Sequence, residues 1–362
     1  MIRKSYSFYP VIGIAIFLFL ISCSGDLEGD NREIDLVKSG LIAVSDELDQ
    51  PELIREGLQV DDDSGMAYGI DFRRSLPFRL DLENGDFQFI GASGAGPDEF
   101  SQPLVVVLKS SEEVMVYDIA LDRLVFVEGN EITDEIDGYA DHGVWIRGAY
   151  GFLWNGYFIH SLKEPDKINS LNFNDASPIG FLNVADGYLS LKGEFSPTLD
   201  DLDPLQKYPM IAFDEEREVL YYVFRSDYTV MELDLISGQS DVASTYKPGD
   251  MRTRTIPFDH DNAYHFSVEF SKQLNEDRTQ LVGVDLLSDR LVVVHHNIQG
   301  EFLDDRDPEL ANYFGVVYDL PDLTNPREFT LPGKFLGTWG DKLLIEENDD
   351  PLEYTIGFYE FE

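Results

Sequence analysis

Histidines and carboxylates have the most direct claim to chemistry in this chain, and their spacing argues against a locally built active site. The six histidines are His142, His160, His260, His265, His295 and His296, and no two follow the H-E-x-x-H pattern that seats a zinc ion on one helix face. His295 and His296 are adjacent, so on a strand they point to opposite faces and cannot share one ion. The densest group of potential ligands is Asp259-His260-Asp261-Asn262-Ala263-Tyr264-His265, which makes His260, Asp261 and His265 candidate binding residues. A hydrated polar turn is the competing reading of the same segment. Acidic runs recur at 61–63, 200–203, 304–307 and 346–350, but none has the D-x-[DN]-x-[DN]-G order of a calcium loop. No cofactor is expected, and solvated loop surface is the default, with a Ca²⁺ held by one of these runs as the alternative.

Glycines raise a second possibility, phosphate binding. The segment Gly91-Ala92-Ser93-Gly94-Ala95-Gly96-Pro97 has the wrong spacing for a dinucleotide fingerprint, and no Lys-Ser/Thr follows it. An apolar run, Pro103-Leu104-Val105-Val106-Val107-Leu108, comes next where a phosphate-capping helix would be needed. Nucleotide binding is therefore excluded. Ser93 lacks the strand-to-helix setting of a nucleophile elbow.

The single cysteine is the most telling residue. Arg3 and Lys4 precede an apolar run over 11–21, and Leu20-Ile21-Ser22-Cys23 follows. The run is short for a membrane span, and the small Ser22 before Cys23 suits a signal-peptidase pocket. This is the pattern of a lipobox, with 1–22 removed as a leader and Cys23 lipidated as the new N-terminus. A lipidated Cys23 leaves no thiol for disulfides or thiolate metal sites. Residues 23–35 are polar and Gly-containing and read as a flexible acidic tether, leaving 36–362 as the folded domain. Asp26, Glu28 and Asp30 loosely match the acidic signal that sends some such proteins to the cell surface; a solvated linker is the alternative.

These residues must be positioned by short strands. Runs such as Phe87-Gln88-Phe89-Ile90, Val114-Met115-Val116-Tyr117, Leu124-Val125-Phe126-Val127, Val219-Leu220-Tyr221-Tyr222-Val223 and Leu291-Val292-Val293-Val294 alternate with Gly, Asp, Asn and Pro turns. Their length and β-branched or aromatic content favour strands. Helical periodicity is confined to single turns, at 308–312 and over 271–279. Without crossover helices a large parallel sheet is excluded. Asp122-Arg123-Leu124-Val125 is echoed by Asp289-Arg290-Leu291-Val292, a spacing near four units of about 42 residues, the length of a propeller blade. The reading is all-β: a β-propeller, six blades of four-stranded antiparallel sheets, with seven blades or tandem β-sandwiches as alternatives.

One segment is specific enough to carry a resemblance. Gly94-Ala95-Gly96-Pro97-Asp98-Glu99-Phe100 resembles the G-x-G-P-x-E-F signature of TolB-like or NHL-like six-bladed β-propeller lipoproteins of Bacteroidetes, with Asp98 where those proteins usually carry Gly. The resemblance implies fold far more than activity, since many members have no assigned one. As structural-motif residues, Gly94 and Gly96 permit close backbone approach and Pro97 fixes φ. Glu99 is placed to accept N–H groups of a tight loop, and Phe100 to fill the gap between blades.

The formal charge of −42 argues against nucleic acid and anionic lipid heads as partners, and 43% hydrophobic with 13% aromatic residues argues against disorder. Trp154, Tyr222 and Arg225 are ligand-binding candidates because exposed aromatics make rigid, amphipathic contact surfaces; packing between blades is the competing reading. The expected function is a non-enzymatic binding or scaffold module for a peptide, glycan or envelope partner. Its membrane contact is the N-terminal lipid, and its expected place is the outer membrane of the cell envelope, with exposure at the cell surface as the further reading. The alternative is a metal-dependent lactonase- or lyase-like propeller enzyme with a site in its central channel.

Overall fold

In the computed structural model, residues 33–44, 57–110, 112–129, 131–137, 145–163, 177–199, 209–252, 267–299, 310–347 and 354–362 are described. They form six four-stranded antiparallel sheets. Five of these are consecutive in the chain, at 59–89, 103–137, 145–192, 209–244 and 280–331, and are numbered here blades 1 to 5. Blade 6 is composite. Its three inner strands are Lys334–Trp339, Lys342–Glu347 and Thr355–Phe361, and its outermost strand is Leu36–Ala43 from the other end of the sequence.

The first strand of each blade lies innermost, and neighbouring inner strands contact each other around the ring. The protein is a six-bladed β-propeller. Its strands form because apolar residues alternate or run continuously over five to nine positions, as in Val219–Phe224, where every residue is buried. Apolar clusters fill the spaces between sheets. Tyr68, Ile70, Phe100, Val106, Val116 and Val125 pack between blades 1 and 2, and Phe78, Leu80, Leu336, Leu344 and Ile356 between blades 1 and 6. Short edges and face-to-face packing let small sheets exist without helical cover.

Ring closure rests on a small polar clamp. Leu36 to Ala43 pairs with Phe361 to Thr355, setting Lys38 opposite Tyr359. The Lys38 ammonium reaches Glu347 at 2.6 Å, and the Tyr359 hydroxyl donates to the other oxygen of the same buried carboxylate. The seam is fastened again near the axis, where the Leu58 N–H donates to the Leu336 carbonyl at 2.6 Å and the Gly340 N–H to Asp62 at 2.9 Å.

Two local expectations differ from the structure. Ala311 and Asn312 begin the strand Ala311–Asp319, where pairing with Ile298 and Asn297 overrides any helical tendency of this segment; Pro308 and Glu309 lie outside the described residues. The segment around 271–279 instead belongs to a full helix, α1, Val268–Asp277. Ser267 caps it by accepting the Phe270 N–H at 3.1 Å, and Phe270 and Leu274, one turn apart, are buried. The two Asp-Arg-Leu-Val copies are not equivalent either. Arg123 opens the third strand of blade 2 and Arg290 the second strand of blade 5, so their spacing is no multiple of a blade. What the copies share is a tight turn, with Asp122 and Ser288 both at positive φ (48° and 43°).

Replacing Glu347 by Ala removes the acceptor of both clamp contacts. We expect a loss of about 2 kcal/mol, within the range for buried charge-assisted hydrogen bonds. Calorimetry should show a melting temperature lowered by several degrees, whereas the exposed-turn variant Asn84→Ala should shift it far less.

Candidate functional site

Because the strands alternate in direction, each propeller end collects its own set of connections. The turns joining first to second and third to fourth strands share one end, and none exceeds five residues. Second-to-third and blade-to-blade connections leave the strands at the other end, and every stretch of more than five residues between strands starts and returns there: 44–58, 90–102, 138–144, 164–178, 193–208, 245–279, 299–310 and 348–354. One end of the ring is thus plain and the other elaborated, the usual division between scaffold and recognition surface.

The axis is crossed by Tyr150. This residue stands on the inner strand of blade 3, Trp145–Trp154, and its hydroxyl donates to the Val282 carbonyl on the inner strand of blade 5 at 3.3 Å. A Cβ on Gly57, just before the inner strand of blade 1, would lie 3.4 Å from its ring. One phenol therefore bridges three alternate blades. Burial, and then the charge of Asp285, push the Tyr150 hydroxyl well above the usual phenol range. Asp285, on the same inner strand as Val282, has its carboxyl raised to about 6 by burial, against the lowering effect of hydrogen bonds from Leu286 N–H and Thr338. Leu286 N–H lies 2.9 Å from it. Among the described residues, no three His, Cys, Asp or Glu side chains are grouped to hold a metal ion.

At the elaborated end, buried polar networks hold the described parts of two connections. His295 sits between the Tyr228 hydroxyl, 2.5 Å from Nδ1, and Asp250, 2.9 Å from Nε2. Asp250 belongs to the 245–279 connection, and Asn297 donates to its carbonyl at 3.2 Å. Arg252 extends the attachment, donating its N–H to Thr279 Oγ1 at 2.7 Å and its guanidinium to the carbonyls of Glu276 and Ile298. Tyrosine, histidine and aspartate in a row suggest a proton relay. Tyr228 is fully buried, and the row ties the 245–252 segment to blades 4 and 5 as a latch. A parallel latch is Asp227, which accepts from Ser196, Thr198 and Thr229 and holds the 193–199 segment.

The residues singled out by sequence do not converge. Trp154 lies half-buried at the plain end, its indole N–H donating to Glu218 at 3.3 Å, and so joins blade 3 to blade 4. Tyr222 is fully buried, with its hydroxyl between the Glu194 carbonyl, 2.8 Å away, and the Glu194 N–H, 3.1 Å away. Arg225 occupies the tight turn 225–226 of blade 4, and its carbonyl accepts the Leu281 N–H at 2.8 Å. Burial first, and then the nearby Arg225 charge, lower His296 to about 3. His295 and His296 do face opposite ways. His260, Asp261, His265 and Cys23 lie outside the described residues.

The glycine motif closes a compact loop between blades 1 and 2. Glu99 accepts the Gly96 N–H at 2.8 Å, and any Cβ on Gly94 would strike its carboxylate. Phe100 is fully buried. Arg123, which sequence reasoning noticed only as part of a repeat, donates to the carbonyls of Gly96 and Glu99 at 3.2 and 2.6 Å. Neither Arg123 nor the latch residues carry a local signal, because their partners are tens of residues away.

No protein-family model matches this sequence, and no curated protein matches it. Among solved structures, the chain is similar to a member of the DUF4221 family from Bacteroides vulgatus, with a TM-score of 0.69 and 13% identity over 92% of this chain and 99% of that one. It is also similar to a Bacteroides fragilis protein assigned to the exported class, with a TM-score of 0.57 and 10% identity over 92% and 97% of the two chains. At these identities the likeness is one of fold.

Two outcomes follow for the site. His295→Leu should leave the ring folded but release the 245–252 segment, seen as faster amide exchange there and in α1 than in blades 1 and 2. Asp285→Asn should raise the melting temperature at pH 8, where the wild-type carboxylate is charged in a buried place. Because its folded pKa lies above the unfolded one, the penalty falls away as pH drops through about 6 towards 3.8. The two proteins should therefore melt alike near pH 4.

Proposed function

We propose that this protein is a non-enzymatic binding module of the bacterial cell envelope, held at the outer membrane by lipid on Cys23. In this reading 1–22 is a leader, 23–35 a tether, and the propeller engages a protein, peptide or glycan partner through its elaborated end. The observation that carries the reading is the segregation of all long connections to one end, together with the buried latches that hold two of them in place. Groups that could have served chemistry at that end, Tyr228, His295 and Asp227, are committed to holding loops. A rigid scaffold that anchors the ends of its loops suits recognition. Similarity in fold to a Bacteroides protein of the exported class supports the envelope setting, as does the leader pattern before Cys23.

Site-specific photo-cross-linking in intact cells tests this. A photoreactive residue at Asp98 or Gln102, both exposed on the 90–102 connection, should yield discrete adducts, and one at Asn84 or Asp186 on the plain end should not. The Asp98 adducts should weaken in a Cys23→Ala background, whose protein should leave the membrane fraction. Adducts confined to the plain end, or a Cys23→Ala protein that stays membrane-bound, would count against the reading.

A further inference from the structure

Leu36–Ala43, the outermost strand of blade 6, pairs along one side with Thr355–Phe361, and among the described residues no strand pairs with its other side. At eight residues it spans about 26 Å and turns a row of backbone N–H and C=O groups outward. We propose that this edge takes up an extended segment of a partner protein as a fifth strand of blade 6, with apolar residues at alternate positions and basic residues at the end beside Leu36. The surface lies on the rim and uses none of the loops given a binding role above.

The outermost strands of the other five blades are each defended against such pairing. Phe87–Phe89 and Leu189–Lys192 are three and four residues long. Glu131–Asp137 carries Glu131, Asp134, Glu135 and Asp137, and Ser240–Ser244 carries Asp241. Thr324–Leu331 contains Pro326, and its Glu328 carbonyl already accepts the Ile34 N–H at 3.0 Å. Short length, charge and proline are the usual ways of blunting a sheet edge. Leu36–Ala43 has neither an acidic residue nor a proline, in a chain with 69 Asp and Glu. Its one charge, Lys38, is engaged with Glu347. A bulge at Ser39 interrupts it, but regular pairing holds on both sides, over 36–38 and 40–43. Val37 and Leu41 are 44% and 51% exposed, and no other described strand carries two exposed large apolar side chains. An added strand would cover part of both.

Charge selects the occupant. Glu33, Asp35 and Glu362 are exposed beside the Leu36 end, where the Glu362 N–H donates to the Asp35 carbonyl at 3.1 Å, and Glu360 stands opposite Val37. The bases at this end are engaged, Lys38 with Glu347 and Arg290 over the Phe361 ring between Asp289 and Asp319. Carboxylates therefore dominate the field that an incoming strand meets, and basic side chains match it. A second copy of this chain would add another formal charge of −42 at the seam. In strand addition the main-chain hydrogen bonds supply affinity, and alternate side chains, here those beside Val37 and Leu41, supply selectivity.

The test uses detergent-solubilised full-length protein and three fluorescent decapeptides. One alternates valine and threonine with lysine at both ends, the second has glutamate in place of lysine, and the third is the lysine peptide with a central proline. Anisotropy should show the lysine peptide binding at least tenfold more tightly than either of the others. Amide exchange should slow within 36–43 when it binds and stay unchanged within 131–137. Leu41→Glu should weaken binding about tenfold, while Val242→Glu, at a similarly exposed position on the outermost strand of blade 4, should not. Melting curves confirm that both surface variants fold. No binding of the lysine peptide at millimolar concentration overturns the proposal, as do protection outside 36–43, equal binding of the proline peptide, or indifference to Leu41→Glu. A concentration-dependent dimer that protects 36–43 without peptide overturns it as well, since the occupant is then a second copy. Loss of the cross-links at Asp98 would leave it standing, because that experiment reads a different surface.

Discussion

Pairing of the first strand with the last is the interaction on which the remaining architecture depends. A propeller blade without its outermost strand exposes an unsatisfied edge, and a ring without its last blade exposes two apolar faces. Leu36–Ala43 meets both needs at once, and the Lys38–Glu347–Tyr359 clamp sets its register. Register matters because a slip of one residue would turn the buried Ile42 outward. The charged clamp therefore contributes specificity in a place where apolar residues alone would tolerate misalignment.

Closure makes the axis a crowded place, and this chain fills it with Tyr150. A phenol that reaches from blade 3 to blade 5 past blade 1 ties alternate blades across the ring, complementing the packing between neighbours. Its hydroxyl is paired, and Asp285 beside it, raised by burial, accepts the Leu286 N–H, so the interior tolerates both polar groups. With the axis so used, exposed polar surface lies at the ends and the rim. The elaborated end carries loops latched by buried carboxylates and a histidine, while the rim between blades 3 and 4 carries a polar cleft.

The latches illustrate a wider economy in this acidic protein. Its carboxylates are not only solvated surface. Asp71, Asp118, Asp214 and Asp227 are buried, the first three closing a strand and Asp227 opening one, and each accepts nearby backbone or hydroxyl donors. Asp118 takes the Ser101 and Gln102 N–H groups at 2.7 and 3.0 Å and so seats the far end of the glycine motif. A recurrent Asp at a strand end is thus a device for holding turns.

Strand identity was legible in the sequence, because period and residue type are local properties. Val114, Val219 and Leu291 each head runs that form strands, and the alternation of such runs with turn residues was enough for an all-β propeller, with the count of six standing beside seven until the structure showed it. The Glu99 and Phe100 arrangement was also legible, since loop, acceptor and plug lie within a few residues of one another. Partnerships across the ring were not. Lys38 with Glu347, Tyr150 with Val282 and His295 with Asp250 leave no spacing to read, for each joins segments that closure alone brings together. For the same reason Tyr222 and Trp154 looked like surface aromatics until packing buried one and half-buried the other. Local chemistry decided what each segment would become; the ring decided which segments would meet, because contact between distant residues is a property of the closed topology and of no stretch within it.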